Sequence, residues 1–146
     1  MIMRVAILSY KAINPPFDGY SNAIITEANA LSKLDNEVVI FSIGKQNHKD
    51  KSSINGIKQV IVNGKVIDED RITFYRLLDF LTLAILGFRI TVKLIGKNKK
   101  LINRVVEFKP DIIILPSVYV TDLACKIKVG NRIKVISYTD SYKILI

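Results

Sequence analysis

The chain has 146 residues, of which 49% are hydrophobic, and its mean hydropathy is +0.27. A chain of this length can bury roughly 68–70% of its unfolded surface, which excludes a disordered linker and predicts one packed domain. One cysteine, Cys125, and one histidine exclude an internal disulfide and leave a His/Cys zinc site almost without ligands. The formal net charge of +9 favours an anionic partner: nucleic acid, a membrane surface or a phosphorylated ligand.

The amino terminus and the most apolar segment both argue against secretion and against a membrane span. Residues 1–9 lack the length and the small-residue cleavage site of a signal peptide. Residues 74–95 are interrupted by four charged side chains and fail the criterion of about 18 uncharged residues for a spanning helix. With a single cysteine, these features predict a reducing, cytoplasmic location.

Four short runs rich in β-branched residues predict strands, with helical sequence between most of them. Continuous apolar runs are typical of strands buried on both faces, as in a parallel sheet covered by helices. Between the first two runs, Ser21–Leu34 has apolar residues at helical spacing and Ser21 as a candidate N-cap, which completes a βαβ unit. The four runs are Met3–Ser9, Val38–Ile43, Asp111–Leu115 and Ile133–Tyr138.

The remaining elements complete the predicted fold. An Asn63-Gly64 step between two apolar runs predicts a small antiparallel hairpin over 56–67. Helices are expected over 72–87, over 90–108 with a break near Gly96 and Asn98, and over 122–128. We therefore expect one α/β domain over 1–146: a Rossmann-like parallel sheet of order 3-2-1-4-5, helices on both faces and a hairpin insertion.

Positive charge is concentrated in the second part of the chain. Residues 89–146 hold 12 Lys and Arg against 4 Asp and Glu, a net of +8. The basic patch, Lys97, Lys99, Lys100 and Arg104, is either a solvated helix face or, beside the apolar segment 74–88, a peripheral contact with an anionic membrane on its inner, cytoplasmic face. Nucleic acid is the least favoured partner, since no aromatic residues interleave with the basic ones and no RNP or helix-turn-helix motif is present.

The loop after the first strand is the most unusual segment. It places two prolines and Gly19 just before a helix, whose free N–H groups and dipole favour an anion. The chain contains neither a G-x-G-x-x-G fingerprint nor a P-loop motif, so those two routes to nucleotide binding are not expected. On composition alone, an ordinary βα loop is the simpler interpretation.

Six segments in consistent order resemble the amino-terminal domain of the family 4 (group 1) glycosyltransferases. That domain begins with a strand, a P-P-x-x-G-G-like loop, a helix ending in L-x-x-x-G-H-E-V and a second strand. Later it carries x-x-P-D-V-V-H and P-V-V-x-T-x-H-D segments. The corresponding segments here are Met3–Ser9, Pro15–Gly19, Ile24–Leu34, Asn36–Ser42, Phe108–Ile114 and Arg132–Asp140.

The resemblance implies a GT-B architecture, in which two Rossmann-like domains face a cleft. It implies metal-independent, retaining transfer without a cofactor, from a nucleotide-sugar to a glycan or lipid-linked acceptor. The donor-binding domain is not expected within residues 1–146, so this chain should not turn over alone. By resemblance, Gly19, Tyr20 and Ser21 would face the donor phosphates or the acceptor, and Ser117, Tyr119, Tyr138 and Thr139 would line the cleft.

The chain departs from the family pattern at the positions that matter for catalysis. Tyr20 replaces the second loop glycine, and Thr139 replaces the histidine of the T-x-H-D segment. Because Thr139 cannot act as a base near neutral pH, Asp140 or Asp122 would take the basic or electrostatic role. The alternatives are that Asp140 is a cap, that Asp122 is a first-turn acid of its helix, and that the chain is a stand-alone, non-catalytic Rossmann-like binding module.

Overall fold

The fold is organised around a mixed, mostly parallel β-sheet. The computed structural model describes residues 2–44, 53–64, 86–128, 133–139 and 142–145. The strands are β1 (Arg4–Ser9), β2 (Glu37–Gly44), β3 (Ser53–Ile54), β4 (Ile57–Asn63), β5 (Ile112–Leu115), β6 (Lys134–Thr139) and β7 (Tyr142–Leu145). The helices are α1 (Gly19–Ser32), α2 (Leu86–Gly96), α3 (Lys99–Phe108) and α4 (Thr121–Lys128), with a 3₁₀ turn at Val118–Val120.

Within the described residues the sheet has seven strands in the order β3-β4-β2-β1-β5-β6-β7. The five central strands are parallel, and counted by themselves they follow the expected 3-2-1-4-5 order. The register places Ala6 of β1 beside Val39 of β2 on one side and Ile113 of β5 on the other. An antiparallel strand is added at each edge, β3 beside β4 and β7 beside β6. The Rossmann-like α/β prediction is confirmed, and the edge strands β3 and β7 are elements that the sequence did not predict.

The alternation of side chains along β1 builds two separate cores, one on each face of the sheet. Val5 and Ile7 point into a core with Ile24 and Ala28 of α1. Ala6 and Leu8 point into the other core, which contains apolar side chains of α2, α3 and α4. Because successive strand residues face opposite sides, both faces must be covered, and the expectation of helices on both faces is met.

The predicted hairpin is wrong in its position. Neither Asn63 nor Gly64 has a positive φ. The pairing of β4 with β2 continues to Asn63, and the Gly64 N–H donates a further hydrogen bond to the Gly44 carbonyl. The turn lies instead at Asn55-Gly56, with φ of 50° and 81°, where it joins β3 to β4. Residues 65–67, the second half of the predicted hairpin, lie outside the described residues.

The helix limits correct two predictions and confirm two. The helix expected to begin at residue 90 begins earlier, because α2 is continuous over Leu86–Gly96 and includes the end of the helix expected over 72–87. The N-cap of α1 is Asp18, not Ser21, so the helix begins at Gly19. The predicted break holds: α2 ends at Gly96, and the Asn98 side chain caps α3 by accepting a hydrogen bond from Leu101 N–H at 3.0 Å. The helix predicted over 122–128 is α4.

Residues 72–85 of the predicted apolar helix lie outside the described residues. Across the described ranges, no helix is long and apolar enough to cross a membrane.

Candidate functional site

The candidate site lies where the strand order reverses direction, at the carboxyl ends of β1 and β5. The chain leaves β1 for α1 on one face of the sheet and leaves β5 for α4 on the other. Ligands of open α/β sheets bind in the crevice that opens at such a switch point. The residues that enter this region first are Tyr10, directly after β1, and Ser117, two residues after β5.

Three tyrosine rings meet at this edge; we refer to Tyr10, Tyr20 and Tyr119 as the tyrosine cluster. The ring centroids of Tyr10 and Tyr20 are 4.9 Å apart, and those of Tyr10 and Tyr119 are 5.5 Å apart in an edge-to-face arrangement. The Tyr20 hydroxyl donates a hydrogen bond to Ser9 Oγ at 3.2 Å, and burial raises the pKa of that phenol. Tyr20 and Tyr119, both predicted site residues, are thus brought together by Tyr10, which the sequence analysis missed.

The loop that carries Tyr10 is fixed to the sheet by a buried glutamine. Gln59 of β4 is 3% exposed. Its Oε1 accepts the Ile13 N–H at 2.9 Å and the Ser42 hydroxyl at 3.1 Å, and its Nε2 donates to the Ile13 carbonyl at 3.2 Å. One side chain therefore satisfies both backbone polar groups of Ile13, and it comes from β4, which is separated from β1 in the sheet by β2.

The start of α1 is held by a charged cap. Asp18 accepts a hydrogen bond from Ser21 N–H at 2.8 Å and forms an ion pair with Lys11, whose ammonium lies 5.5 Å from the Tyr20 ring centroid. Burial acts to raise the pKa of the Asp18 carboxyl, but the hydrogen bonds from Lys11 and Ser21 and the charge of Lys11 outweigh it. The pKa falls from its ordinary 3.8 to about 2, so the cap is ionised at neutral pH.

The three predicted phosphate-facing residues have different environments. Gly19 is exposed, and in the described part of the chain a Cβ at this position would meet no atom within 4 Å. Tyr20 is half-buried in the tyrosine cluster, and Ser21 is 3% exposed. Of the three, Gly19 offers the open approach to the first turn of α1.

The predicted cleft residues divide into two groups. Ser117 Oγ accepts the Tyr119 N–H at 3.2 Å, which fixes the short turn that carries Tyr119 into the tyrosine cluster. Tyr138 and Thr139 end β6, where their backbones pair with Lys143 and Tyr142 of β7. Asp140 lies outside the described residues.

Asp122 lies at the contact between α2 and α4. It is a first-turn residue of α4 and forms an ion pair with Lys126 at 2.8 Å. Its carboxylate packs against Gly96 so closely that an added Cβ there would lie 1.9 Å from Oδ2, and Lys126 also donates to the Gly96 carbonyl at 2.8 Å. These contacts give Asp122 a structural role between two helices; a catalytic role stays a prediction.

The basic patch surrounds the start of α3. Lys97 lies in the turn before the helix, and Lys99 and Lys100 are in its first turn, at the positive end of the helix dipole. Arg104 is exposed and pairs with Glu107 at 3.6 Å. Lys100 and Arg104 also line a groove of about 570 Å³ between α3 and β4.

No group of three or more His, Cys, Asp and Glu residues that could hold a metal ion occurs among the described residues. No protein-family model matches the sequence, and no curated protein is significantly similar to it.

Sequence reasoning missed Tyr10, Lys11 and Gln59. Tyr10 had a usable signal, since it directly follows a predicted strand at the edge where ligands bind. Gln59 had no usable signal, because it directly follows Lys58 and reads as one of two adjacent polar residues in an otherwise apolar run.

Proposed function

We propose that this chain is the acceptor-side domain of a GT-B glycosyltransferase resembling family 4. In this role it helps to move a sugar, with retention of configuration, from a nucleotide-sugar to a glycan or lipid-linked acceptor. One observation carries the proposal: the loop that resembles the family's P-P-x-x-G-G segment ends beside the tyrosine cluster at the switch point of the sheet. In this architecture a second domain holds most of the nucleotide-sugar, so transfer is expected only when both are present.

Gly19 supplies the approach to the donor phosphate. The first N–H groups of a helix have no intrahelical partner, and Asp18 already accepts that of Ser21. The N–H groups of Gly19 and Tyr20 are therefore the donors assigned to a phosphate oxygen, with Gly19 leaving the backbone uncovered. Asp140 or Asp122 is assigned the electrostatic or basic role that Thr139 cannot fill, and the ion pair between Asp122 and Lys126 favours Asp140.

A titration followed by amide NMR tests this assignment. We expect UDP-glucose, UDP-N-acetylglucosamine or GDP-mannose to shift the amide signals of Gly19 and Tyr20. The Gly19→Val variant should lose those shifts because its branched side chain covers the N–H groups. Gly19→Ala, with a single methyl in open space, is the control for the helix start. Absence of shifts with every nucleotide-sugar would contradict the assignment of the Gly19 and Tyr20 N–H groups to a donor phosphate.

We further propose that the acceptor is lipid-linked and that the basic patch contacts an anionic membrane. Three lysines at the positive end of α3 concentrate charge of one sign on one surface. The alternative is a solvated helix face, which would carry the same residues and would not bind vesicles.

Vesicle sedimentation makes that distinction. We expect binding to vesicles of phosphatidylglycerol and phosphatidylcholine that weakens with salt and is lost when Lys97, Lys99 and Lys100 are changed to Gln. The matched control changes three exposed lysines elsewhere, Lys33, Lys109 and Lys134, and removes the same charge. Equal binding to neutral vesicles, or an equal loss in both triple variants, would contradict a specific membrane contact.

A further inference from the structure

The tyrosine cluster spans the carboxyl end of the central strand and joins the two faces of the sheet. Tyr10 and Tyr119 pack against the core that contains α2, α3 and α4. Tyr20 packs against the core on the α1 face. All three side chains are half-buried, so each also contributes surface at the edge where ligands of this fold bind.

The three rings are held in place before any ligand arrives. The Tyr20 hydroxyl is bonded to Ser9, and the Lys11 ammonium, itself paired with Asp18, lies near the face of the Tyr20 ring. The loop beneath them is anchored at Ile13 by Gln59. Because the side chains and loop are already ordered, a ligand that packs on them loses little affinity to ordering the protein.

The ring geometry favours a puckered ring over a flat one. The planes of Tyr10 and Tyr20 are tilted by 37°, and those of Tyr10 and Tyr119 by 71°. Rings tilted in this way offer no pair of parallel faces between which a nucleobase could be sandwiched. A pyranose chair can place its C–H groups against tilted aromatic faces.

A buried acceptor in the same loop is a second observation. Asn14 Oδ1 is buried and has no hydrogen-bond partner among the residues that the structure describes. Buried polar atoms are nearly always paired, so a lone acceptor calls for a donor from water or from a ligand.

We infer that the tyrosine cluster binds a sugar ring of the acceptor, with Tyr10, which touches both other rings, as its central contact. This inference rests on the proposed function and narrows it, because it makes the acceptor a saccharide or a lipid that already carries one. Tyr20 is then a stacking residue through its side chain, in addition to the role proposed for its N–H.

The chain has six tyrosines, three of them in the tyrosine cluster, and no tryptophan, so tyrosine fluorescence is free of indole emission and the Tyr10 variants assign a change to the cluster. The probes are the methyl glycosides of glucose, galactose, mannose and N-acetylglucosamine, with saturation-transfer NMR as a second readout. We expect at least one glycoside to bind. Tyr10→Phe should bind it as the wild type does, and Tyr10→Leu should bind it about tenfold more weakly because the ring is lost.

Phe17→Leu is the matched control, since it removes an aromatic ring from the same loop outside the tyrosine cluster. Circular dichroism and thermal unfolding establish that each variant is folded. Binding by Tyr10→Leu equal to that of the wild type, binding by no glycoside, or tighter binding of uridine than of any glycoside would overturn the inference. The nucleotide-sugar titration at Gly19 is a separate measurement, so the inference can fail while the proposed function stands, and the reverse.

Discussion

At the scale of single residues, two polar side chains fix the loop that begins at Tyr10. Gln59 binds its middle at Ile13, and the pair Asp18 and Lys11 closes its far end. Both anchors are polar groups placed where solvent is partly or wholly excluded, which makes each sensitive to the loss of one partner. Two measurements separate their contributions.

The first measurement concerns the buried side-chain amide of Gln59. Gln59→Leu leaves the N–H and the carbonyl of Ile13 without their partner, so we expect the free energy of unfolding to fall by about 3 kcal/mol. Urea denaturation measures this loss. Lys58→Ala, an exposed change at the neighbouring position, should cost less than about 0.5 kcal/mol. If both variants unfold at the same urea concentration, the amide does not anchor the loop.

The second measurement concerns the negative charge of Asp18, the N-cap of α1. Because the pKa of Asp18 is lowered by folding, its contribution is complete above pH 3.8 and is lost as the pH falls through 3.8 towards 2. Its side chain is 42% exposed, so solvent screening reduces the contribution to about 1 kcal/mol. Asp18→Asn keeps a good N-cap and removes the charge. The stability difference between wild type and variant should therefore be present at pH 6 and be lost as the pH falls through about 2. A constant difference would contradict the charge effect.

Local sequence could not decide between the two candidate caps of α1. Asp18 and Ser21 are both strong N-cap residues, and the apolar face at Ile24 and Ala28 fits a helix that starts at either. The structure uses the earlier one, where Lys11 can pair with the carboxylate. The position of Lys11 depends on the folded path of the loop, which no periodicity reveals.

At the scale of elements, the chain contains two Asn-Gly steps, and only one is a hairpin turn. The same Asn-Gly dipeptide stands at 55–56 and at 63–64, and only the second lies between two apolar runs. Long-range pairing decides which step forms the turn. Because β4 pairs with β2 as far as Asn63, the chain cannot reverse direction before β4 ends. Elements of strong periodicity were predictable from sequence, whereas this choice required knowledge of the neighbouring strand.

Two glycines give a matched test of the turn. A Cβ at Gly56 or at Gly19 would meet no atom of the described chain within 4 Å, but only Gly56 has a positive φ, of 81°. Gly56→Ala should therefore lower the free energy of unfolding by about 1 kcal/mol through backbone strain. Gly19→Ala should leave it unchanged or raise it by up to about 1 kcal/mol. Equal thermal midpoints for the two variants would rule out the strained turn.

At the scale of the whole molecule, stability is centred on β1. That strand pairs on both sides, and residues 5–9 are buried in or between the two cores. The fold class was predictable because four apolar strand runs, with helical sequence between most of them, appear in order along the sequence. The edge strands β3 and β7 were not predictable from sequence. They have two and four residues, which is too short for an alternation of apolar and polar residues to be recognised.

Hydrogen exchange should follow this arrangement. Amides at Ala6, Ile7 and Leu8 should exchange only through global unfolding, because local opening would expose both cores. Amides of the two-residue edge strand at Ser53 and Ile54 should exchange orders of magnitude faster. Comparable protection at both places, measured by NMR, would mean that the sheet opens as a single unit.

The hydrogen bonds from Gln59 to Ile13 have a consequence for engineering. The segment that shapes the proposed binding edge draws its order from β4, across the intervening β2. Transplanting residues 10–18 into another α/β scaffold would transfer the tyrosine and proline sequence without the support that gives it shape. A functional graft would have to carry a glutamine on the strand two places away, so the smallest portable unit is a loop together with a distant strand.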